Sequence, residues 1–96
     1  MTSKQRAYLR NLAQKIDPIF QIGKSGITEN QIEQLCNALE ARELIKITLL
    51  DTIPDAKEAI ASEIASRTNS DVVQIVGKKL TIYKKSKNKP KIELPE

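Results

Sequence analysis

The sequence predicts a single α/β domain over residues 1–96, a two-layer α+β arrangement of helices on a four-stranded mixed sheet. Three observations lead to this fold class. Apolar residues recur at helical spacing in three segments, and four other segments are short apolar runs typical of strands. The order of the seven segments is α-β-α-β-α-β-β. The 96 residues suffice for one modest core. The last two runs are joined only by Gly77-Lys78-Lys79, which makes them an antiparallel hairpin.

The first helix is predicted over residues 3–16, where the apolar side chains form one stripe. Asp17-Pro18 should end it, because the residue before a proline is pushed out of the α region. The apolar run over residues 18–22 then predicts a short buried strand. The stripe of the helix comprises Tyr8, Leu9, Leu12, Ala13 and Ile16.

The second helix is predicted over residues 29–42 and has a complete start signal. Thr28 is the candidate N-cap, and Gln31 completes a capping box with it. Residues 44–50 predict the next strand, with one face purely apolar and Lys46 on the other, mixed face. A strand of this kind fits a sheet that carries its helices on one side.

The third helix is predicted to begin within residues 51–55, with Pro54 at its first helical position. Strands are predicted at residues 72–76 and 80–84. The helical connections should make the first three strands parallel, and the hairpin should make the fourth antiparallel.

Positive charge is concentrated near the C-terminus. The formal net charge is +4, and residues 78–91 hold seven lysines without an acidic residue. A basic stripe of this kind is typical of proteins with a polyanionic partner, although solvated lysine faces and tails are also common. We expect residues 86–96 to form a basic, partly flexible tail.

The composition argues against catalysis and against a bound metal or cofactor. The chain has no histidine and one cysteine, Cys36, which lies within a helical pattern. It therefore lacks the most common general base and cannot assemble a zinc site. No apolar run approaches the roughly 18 residues of a membrane span, and no signal-peptide pattern is present. We expect a cytoplasmic, monomeric protein with no catalytic residue, no metal, no cofactor and no membrane contact.

The glycine-flanked turn Gly23-Lys24-Ser25-Gly26 stands between the first strand and the second helix. Backbone N–H groups at a helix N-terminus attract anions, and the turn adds a cation and a hydroxyl. A nucleotide-binding loop would need a glycine where Pro18 stands, which argues against a triphosphate. Two interpretations stay open: the turn contacts a phosphate of a polymer, or its glycines only shape the turn.

Parallel strands end at one edge of a sheet, so the turn should lie beside the hairpin lysines. Further lysines project from the second strand and from the hairpin exit. The residues predicted to bind a polyanion are Gly23, Lys24, Ser25, Gly26, Thr28, Lys46, Lys78, Lys79, Lys84 and Lys85. With three aromatic residues in the chain, recognition should depend on phosphates and shape more than on stacking.

Five stretches, in order and along nearly the whole chain, match a known pattern. They are Arg10-Asn11-Leu12-Ala13, the loop region 21–28, Arg42-Glu43-Leu44-Ile45-Lys46-Ile47, residues 74–84 and Ile92-Glu93-Leu94-Pro95. The chain thereby resembles the CRM family (chloroplast RNA splicing and ribosome maturation) in its stand-alone bacterial form, the YhbY type. One departure is Tyr83-Lys84, where the family often has Tyr-Arg and therefore a bidentate side chain.

The resemblance implies an RNA-binding domain with a fold like the C-terminal domain of translation initiation factor three. It also implies that the glycine-flanked loop, residues 23–26, contacts RNA. Stand-alone bacterial members look like factors associated with precursor large ribosomal subunits. The resulting interpretation is a protein that binds ribosomal RNA during large-subunit assembly. The alternative is a protein-interaction module that docks on a ribosomal protein or an assembly factor.

Overall fold

Three helices and four strands follow one another in the predicted order in the computed structural model, which describes residues 1–95. They are α1 (Ser3–Ala13), β1 (Pro18–Ile22), α2 (Glu29–Arg42), β2 (Leu44–Leu49), α3 (Lys57–Thr68), β3 (Asp71–Val76) and β4 (Lys79–Tyr83). The predicted mixed α/β character is confirmed.

The four strands form one sheet in the spatial order β1-β2-β4-β3. Strand β1 is parallel to β2, and β4 is antiparallel to both of its neighbours, β2 and β3. The first three strands therefore run in one direction and the fourth runs against them, as predicted. The sequence did not predict that β4 is inserted between β2 and β3, which makes the last strand a central one.

Two helix ends differ from the predictions. Helix α1 ends at Ala13 and is followed by a tighter turn, in which Lys15 N–H donates to the Leu12 carbonyl at 3.1 Å. Helix α3 begins at Lys57, not within residues 51–55. The reason is Ile53, whose N–H donates to the Leu50 carbonyl at 3.2 Å in a turn that places its side chain in the core.

Helix α2 begins at Glu29 with Thr28 as its N-cap, as the capping box predicts. The Gln31 N–H donates to Thr28 Oγ1 at 3.1 Å, and the Thr28 N–H donates to Gln31 Oε1 at 3.0 Å. Two of the unpaired N–H groups at the helix end are thereby satisfied within the chain.

Two clusters of buried side chains lie on opposite faces of the sheet. Helices α2 and α3 cover one face, and their apolar side chains pack on alternate residues of β2 and β4, including Ile45, Ile47, Leu80 and Ile82. On the other face α1 packs through Leu9 and Ala13 against Leu44, Val73 and Tyr83. The expectation that the sheet carries its helices on one side is therefore wrong: the apolar Leu44 on the mixed face of β2 is part of a second, smaller core beneath α1.

The chain beyond β4 is held by two glutamates at the end of α2, an arrangement called here the tail anchor (Glu40, Glu43 and residues 86–92). Glu43 is fully buried, and its carboxylate accepts N–H groups from Ser86 at 2.8 Å, Lys91, and Ile92 at 2.7 Å. Glu40 accepts the Lys87 N–H at 2.8 Å. The anchor leads the chain back over the second core, where two later side chains, Ile92 and Leu94, pack.

Candidate nucleic-acid interface

The loop between β1 and α2 is a tight turn with two exposed side chains at its corners. The Gly26 N–H donates to the Gly23 carbonyl at 2.9 Å, and Lys24 and Ser25 project into solvent. Gly26 has a φ of 74°, a left-handed conformation that strains a residue with a side chain. At Gly23 a Cβ would lie 3.2 Å from Leu50 Cδ1, so this glycine allows close packing against the chain after β2. The structure of the turn therefore explains why glycine occupies both positions, independently of any ligand.

Part of the backbone expected to attract an anion is already paired. The Gly26 N–H closes the turn and the Thr28 N–H binds Gln31 Oε1. Glu29 also places a carboxylate in the first turn of α2, where it offsets the positive end of the helix dipole. The Thr28 hydroxyl serves as the cap. The positive potential at this loop must therefore come mainly from lysine side chains, and Lys24 is the one within the loop itself.

The loop and the β3–β4 turn meet at one edge of the sheet, beside the residues that follow β2. The Leu50 N–H donates to the Ile22 carbonyl at 2.8 Å, and the Leu49 N–H donates to the Lys78 carbonyl at 2.6 Å. The carboxyl ends of β1 and β2 therefore lie beside the hairpin turn, as the parallel strand directions predicted. We call the exposed residues of this edge, Lys24, Ser25, Lys78 and Lys79, the carboxyl edge.

Asp51, in the segment predicted to begin the third helix, lies outside that helix and adjoins the carboxyl edge. Asp51 Oδ2 lies 2.9 Å from Lys78 Nζ, and Asp51 Oδ1 lies 3.7 Å from Lys57 Nζ. The hydrogen bond from Lys78, together with the charges of both lysines, lowers the pKa of the Asp51 carboxyl despite some desolvation. Lys78 is thus partly neutralised, whereas Lys24, Lys46 and Lys79 have no ion-pair partner within residues 1–95.

A polar strip on the sheet continues the carboxyl edge on the face that carries α1. Lys46 pairs with Thr81, which pairs with Gln74, and Lys79 stands between Thr48 and Val76. The core beneath α1 lies at the other end of these strands. Thr81 in the middle of the strip is buried, and the strip is open only beside the hairpin, where Lys79 is exposed and the side chain of Val76 is 61% exposed. The residues predicted from the sequence include Lys46 and Lys79 but not their neighbours Thr48, Gln74 and Val76, although alternation along the strands would have placed all five on one face.

Lys84 and Lys85 do not lie at the carboxyl edge. Because β4 is antiparallel to its neighbours, its end lies beside the start of β2, where Tyr83 pairs with Leu44. The Lys84 N–H donates to the Glu43 carbonyl at 2.9 Å. Lys84 lies five positions after Lys79 in extended chain, a distance of about 17 Å. Any contact that Lys84 and Lys85 make with a polyanion would therefore lie apart from the carboxyl edge, and their predicted role stays a prediction.

Other classes of site find little support in the described part of the chain. No three Asp, Glu or Cys side chains among residues 1–95 form a cluster that could hold a metal ion. None of the helices in this range is both long and apolar enough to cross a membrane. Cys36 is a free, partly buried thiol.

Comparisons with known proteins agree with one another. Residues 1–84 match the family model described as the CRS1/YhbY (CRM) domain. A Bacillus subtilis protein named "Probable RNA-binding protein YqeI" is 42% identical over 95 residues, which are 99% of each chain. A Haemophilus influenzae protein named "RNA-binding protein" is 33% identical over 95 residues, covering 99% of this chain and 95% of that one.

The fold is also similar to one that has been solved. The solution structure of the hypothetical protein SAV1595 from Staphylococcus aureus, a candidate RNA-binding protein, superimposes with a TM-score of 0.83. The two sequences are 49% identical, and the match covers 99% of each chain. The mixed sheet and its three helices are thus shared with a chain of the same extent.

Proposed function

Because the chain belongs to the CRS1/YhbY (CRM) domain family, in its stand-alone bacterial form, we propose that it binds RNA and acts without catalysis of its own. Its relatives named as RNA-binding proteins align over nearly their whole length. The observation that carries the proposal is the carboxyl edge, where an exposed turn, unpaired lysines and an open polar strip adjoin.

The chemistry of the carboxyl edge suits phosphate contacts. Lys24 and Lys79 are exposed ammonium groups, and an ammonium acts on phosphate as a point charge without a fixed fork geometry. Ser25 adds a hydroxyl donor at the tip of the turn. Such contacts fix the position of an RNA backbone without reading its sequence. The polar strip, with Lys46 and the exposed Val76, offers a floor for the sugars and bases beside that backbone.

The target that we propose is ribosomal RNA in precursors of the large ribosomal subunit. The stand-alone bacterial form of the family favours this target, as does a surface that recognises backbone and shape. Co-sedimentation of the protein with precursor large subunits should be lost after nuclease treatment. Association that survives complete RNA digestion would instead indicate docking on a ribosomal protein or an assembly factor.

RNA binding itself is tested by filter binding to a structured fragment of large-subunit ribosomal RNA at several salt concentrations. About three phosphate contacts correspond to a log–log salt slope of about −2 to −3, and to a loss of roughly 16- to 64-fold in affinity between 50 and 200 mM salt. The absence of measurable affinity at low salt, or a slope near zero, would contradict the proposal.

The substitution Asp51→Asn should strengthen RNA binding. It removes the carboxylate that pairs with both Lys78 and Lys57. The net gain of one positive charge corresponds to an increase of about three- to eightfold in affinity at 50 mM salt, which shrinks as salt is added.

Asp71→Asn is the matched control, because Asp71 is exposed and pairs with Tyr83 at the far end of the sheet. Asp71→Asn changes the net charge by the same amount as Asp51→Asn, but it should raise the affinity for RNA by clearly less. Equal increases in both variants would show that net charge, and not the carboxyl edge, governs binding.

A further inference from the structure

A groove of about 720 Å³ lies at the opposite end of β1 and β2 from the carboxyl edge. Its walls come from the end of α1, the starts of both strands and the docked tail. The apolar side chains that line it are Leu12, Ile16, Ile19, Leu44, Ile45 and Ile92. This volume is within the range of sites that hold a ligand or the anchor residues of a peptide. We call it the apolar groove.

The rim of the apolar groove is positively charged. Three exposed cations, Lys15, Arg42 and Lys91, stand around it, and among residues 1–95 the one carboxylate that lines it is that of Asp17. None of the three cations has an ion-pair partner within residues 1–95. An apolar floor with an unpaired basic rim is complementary to a ligand that combines apolar groups with carboxylates.

The apolar groove is bordered by a free sheet edge. Strand β1 is the first in the sheet order, and within the described chain it pairs only with β2. The Ile22 carbonyl accepts the Leu50 N–H on the β2 side, so the backbone groups of Gln21 are directed to the open side. Ile19 belongs to the same strand, lines the groove and is 36% exposed. An extended peptide can therefore pair with β1 and place alternate side chains in the groove.

We propose that the apolar groove binds an extended acidic peptide segment of a partner protein. Apolar side chains of the peptide pack on the groove floor, and its carboxylates pair with Lys15, Arg42 and Lys91. RNA is the less suitable occupant, because no aromatic residue lines the groove and a phosphate backbone gains nothing from an apolar floor. The groove lies away from the carboxyl edge, so the peptide and RNA bind independently. This inference does not depend on the proposed RNA-binding function.

The test uses a labelled synthetic decapeptide in which glutamate alternates with valine and leucine, titrated and followed by fluorescence anisotropy and by amide NMR shifts. Saturable binding is expected, with the largest shifts at residues 12–19, 42–45 and 91–92. Two comparison peptides carry lysine in place of glutamate or serine in place of the apolar residues. Each should bind at least about tenfold more weakly, because the first loses the charge complementarity and the second the apolar anchors.

Matched variants separate the groove from general electrostatics. Lys15→Glu with Arg42→Glu should weaken peptide binding by about tenfold or more. Lys87→Glu with Lys89→Glu makes the same change of net charge on tail residues outside the groove, and should leave most of the affinity. RNA affinity should be the same in the two double variants. Absence of saturable binding, shifts centred on residues 23–28, or equal loss in both double variants would overturn the proposal.

Discussion

Replacement of Glu43 by alanine is expected to destabilise the domain by about 3 kcal/mol or more. The Glu43 carboxylate accepts the N–H groups of Ser86, Lys91 and Ile92, and the alanine methyl cannot replace any of these bonds. Backbone donors left without an acceptor in a buried site lose their solvation without compensation. A loss of this size is a large fraction of the stability of a small domain. Urea unfolding followed by circular dichroism measures it.

Two companion substitutions separate the causes. Glu43 has a φ of 66°, so Glu43→Gly removes the same bonds but relieves backbone strain, and should be less destabilising than Glu43→Ala by about 1 kcal/mol. Glu43→Gln keeps the shape and one oxygen acceptor and should lie between wild type and alanine. A loss below about 1 kcal/mol in the alanine variant would show that the tail anchor contributes little to stability.

The charge of Glu43 also makes the tail anchor sensitive to acid. Burial raises the pKa of this carboxyl, but the three backbone N–H groups and nearby Lys85 more than offset burial, and the net pKa is lowered from 4.5. A folded-state pKa below the unfolded one contributes stability above the unfolded value, and this stability is lost as the pH falls through the folded value. Wild-type stability should therefore decrease below about pH 4.5, and Glu43→Gln should show a shallower decrease.

Reversal of three lysines at the carboxyl edge and on the polar strip should reduce RNA affinity by roughly 100-fold at low salt. The variant Lys24→Glu, Lys46→Glu, Lys79→Glu replaces the three cations at this end of the sheet that have no ion-pair partner in the described chain. Each lost phosphate contact removes about 0.7 to 0.9 from the salt slope, so the slope should fall by about 2. Filter binding across a salt series measures both quantities, and circular dichroism confirms the fold.

The matched control reverses Lys85, Lys87 and Lys89, which are exposed residues of the tail region. The net charge changes by the same amount, but the distance from the carboxyl edge leaves only a long-range effect, which salt screens. The loss of affinity should stay below about tenfold. Equal losses in the two triple variants would place the RNA over the whole basic surface and support the predicted role of Lys85.

Features that depend on neighbouring residues were the ones that the sequence predicted well. The capping box of Thr28 and Gln31 is a contact across three residues, and the φ of Gly26 is a local requirement. The meeting of residues 23–26 with Lys78 was predictable because parallel strands end at one edge. These predictions needed only chain direction and turn chemistry.

Features that depend on distant pairings were missed. Nothing near Leu44 indicates that its side chain faces a separate helix, α1, because alternation gives the two faces of a strand but not their partners. In the sequence Glu43 is one more polar residue at the end of a helix. Its role as an acceptor depends on tail residues that lie more than forty positions later. Asp51 likewise meets Lys78 only because the hairpin folds back beside β2.

The central position of β4 determines how late in synthesis the domain can complete its fold. Strand β3 joins the sheet only through β4, and the end of α2 is completed only by the segment after β4. A ribosome synthesises these parts after α1, β1, α2 and β2. Until β4 has been made, the nascent chain therefore carries a parallel strand pair in which one edge of β2 has no partner. Strand β4 and the residues that follow it complete the sheet and the second core together, so the domain cannot close before these residues are available.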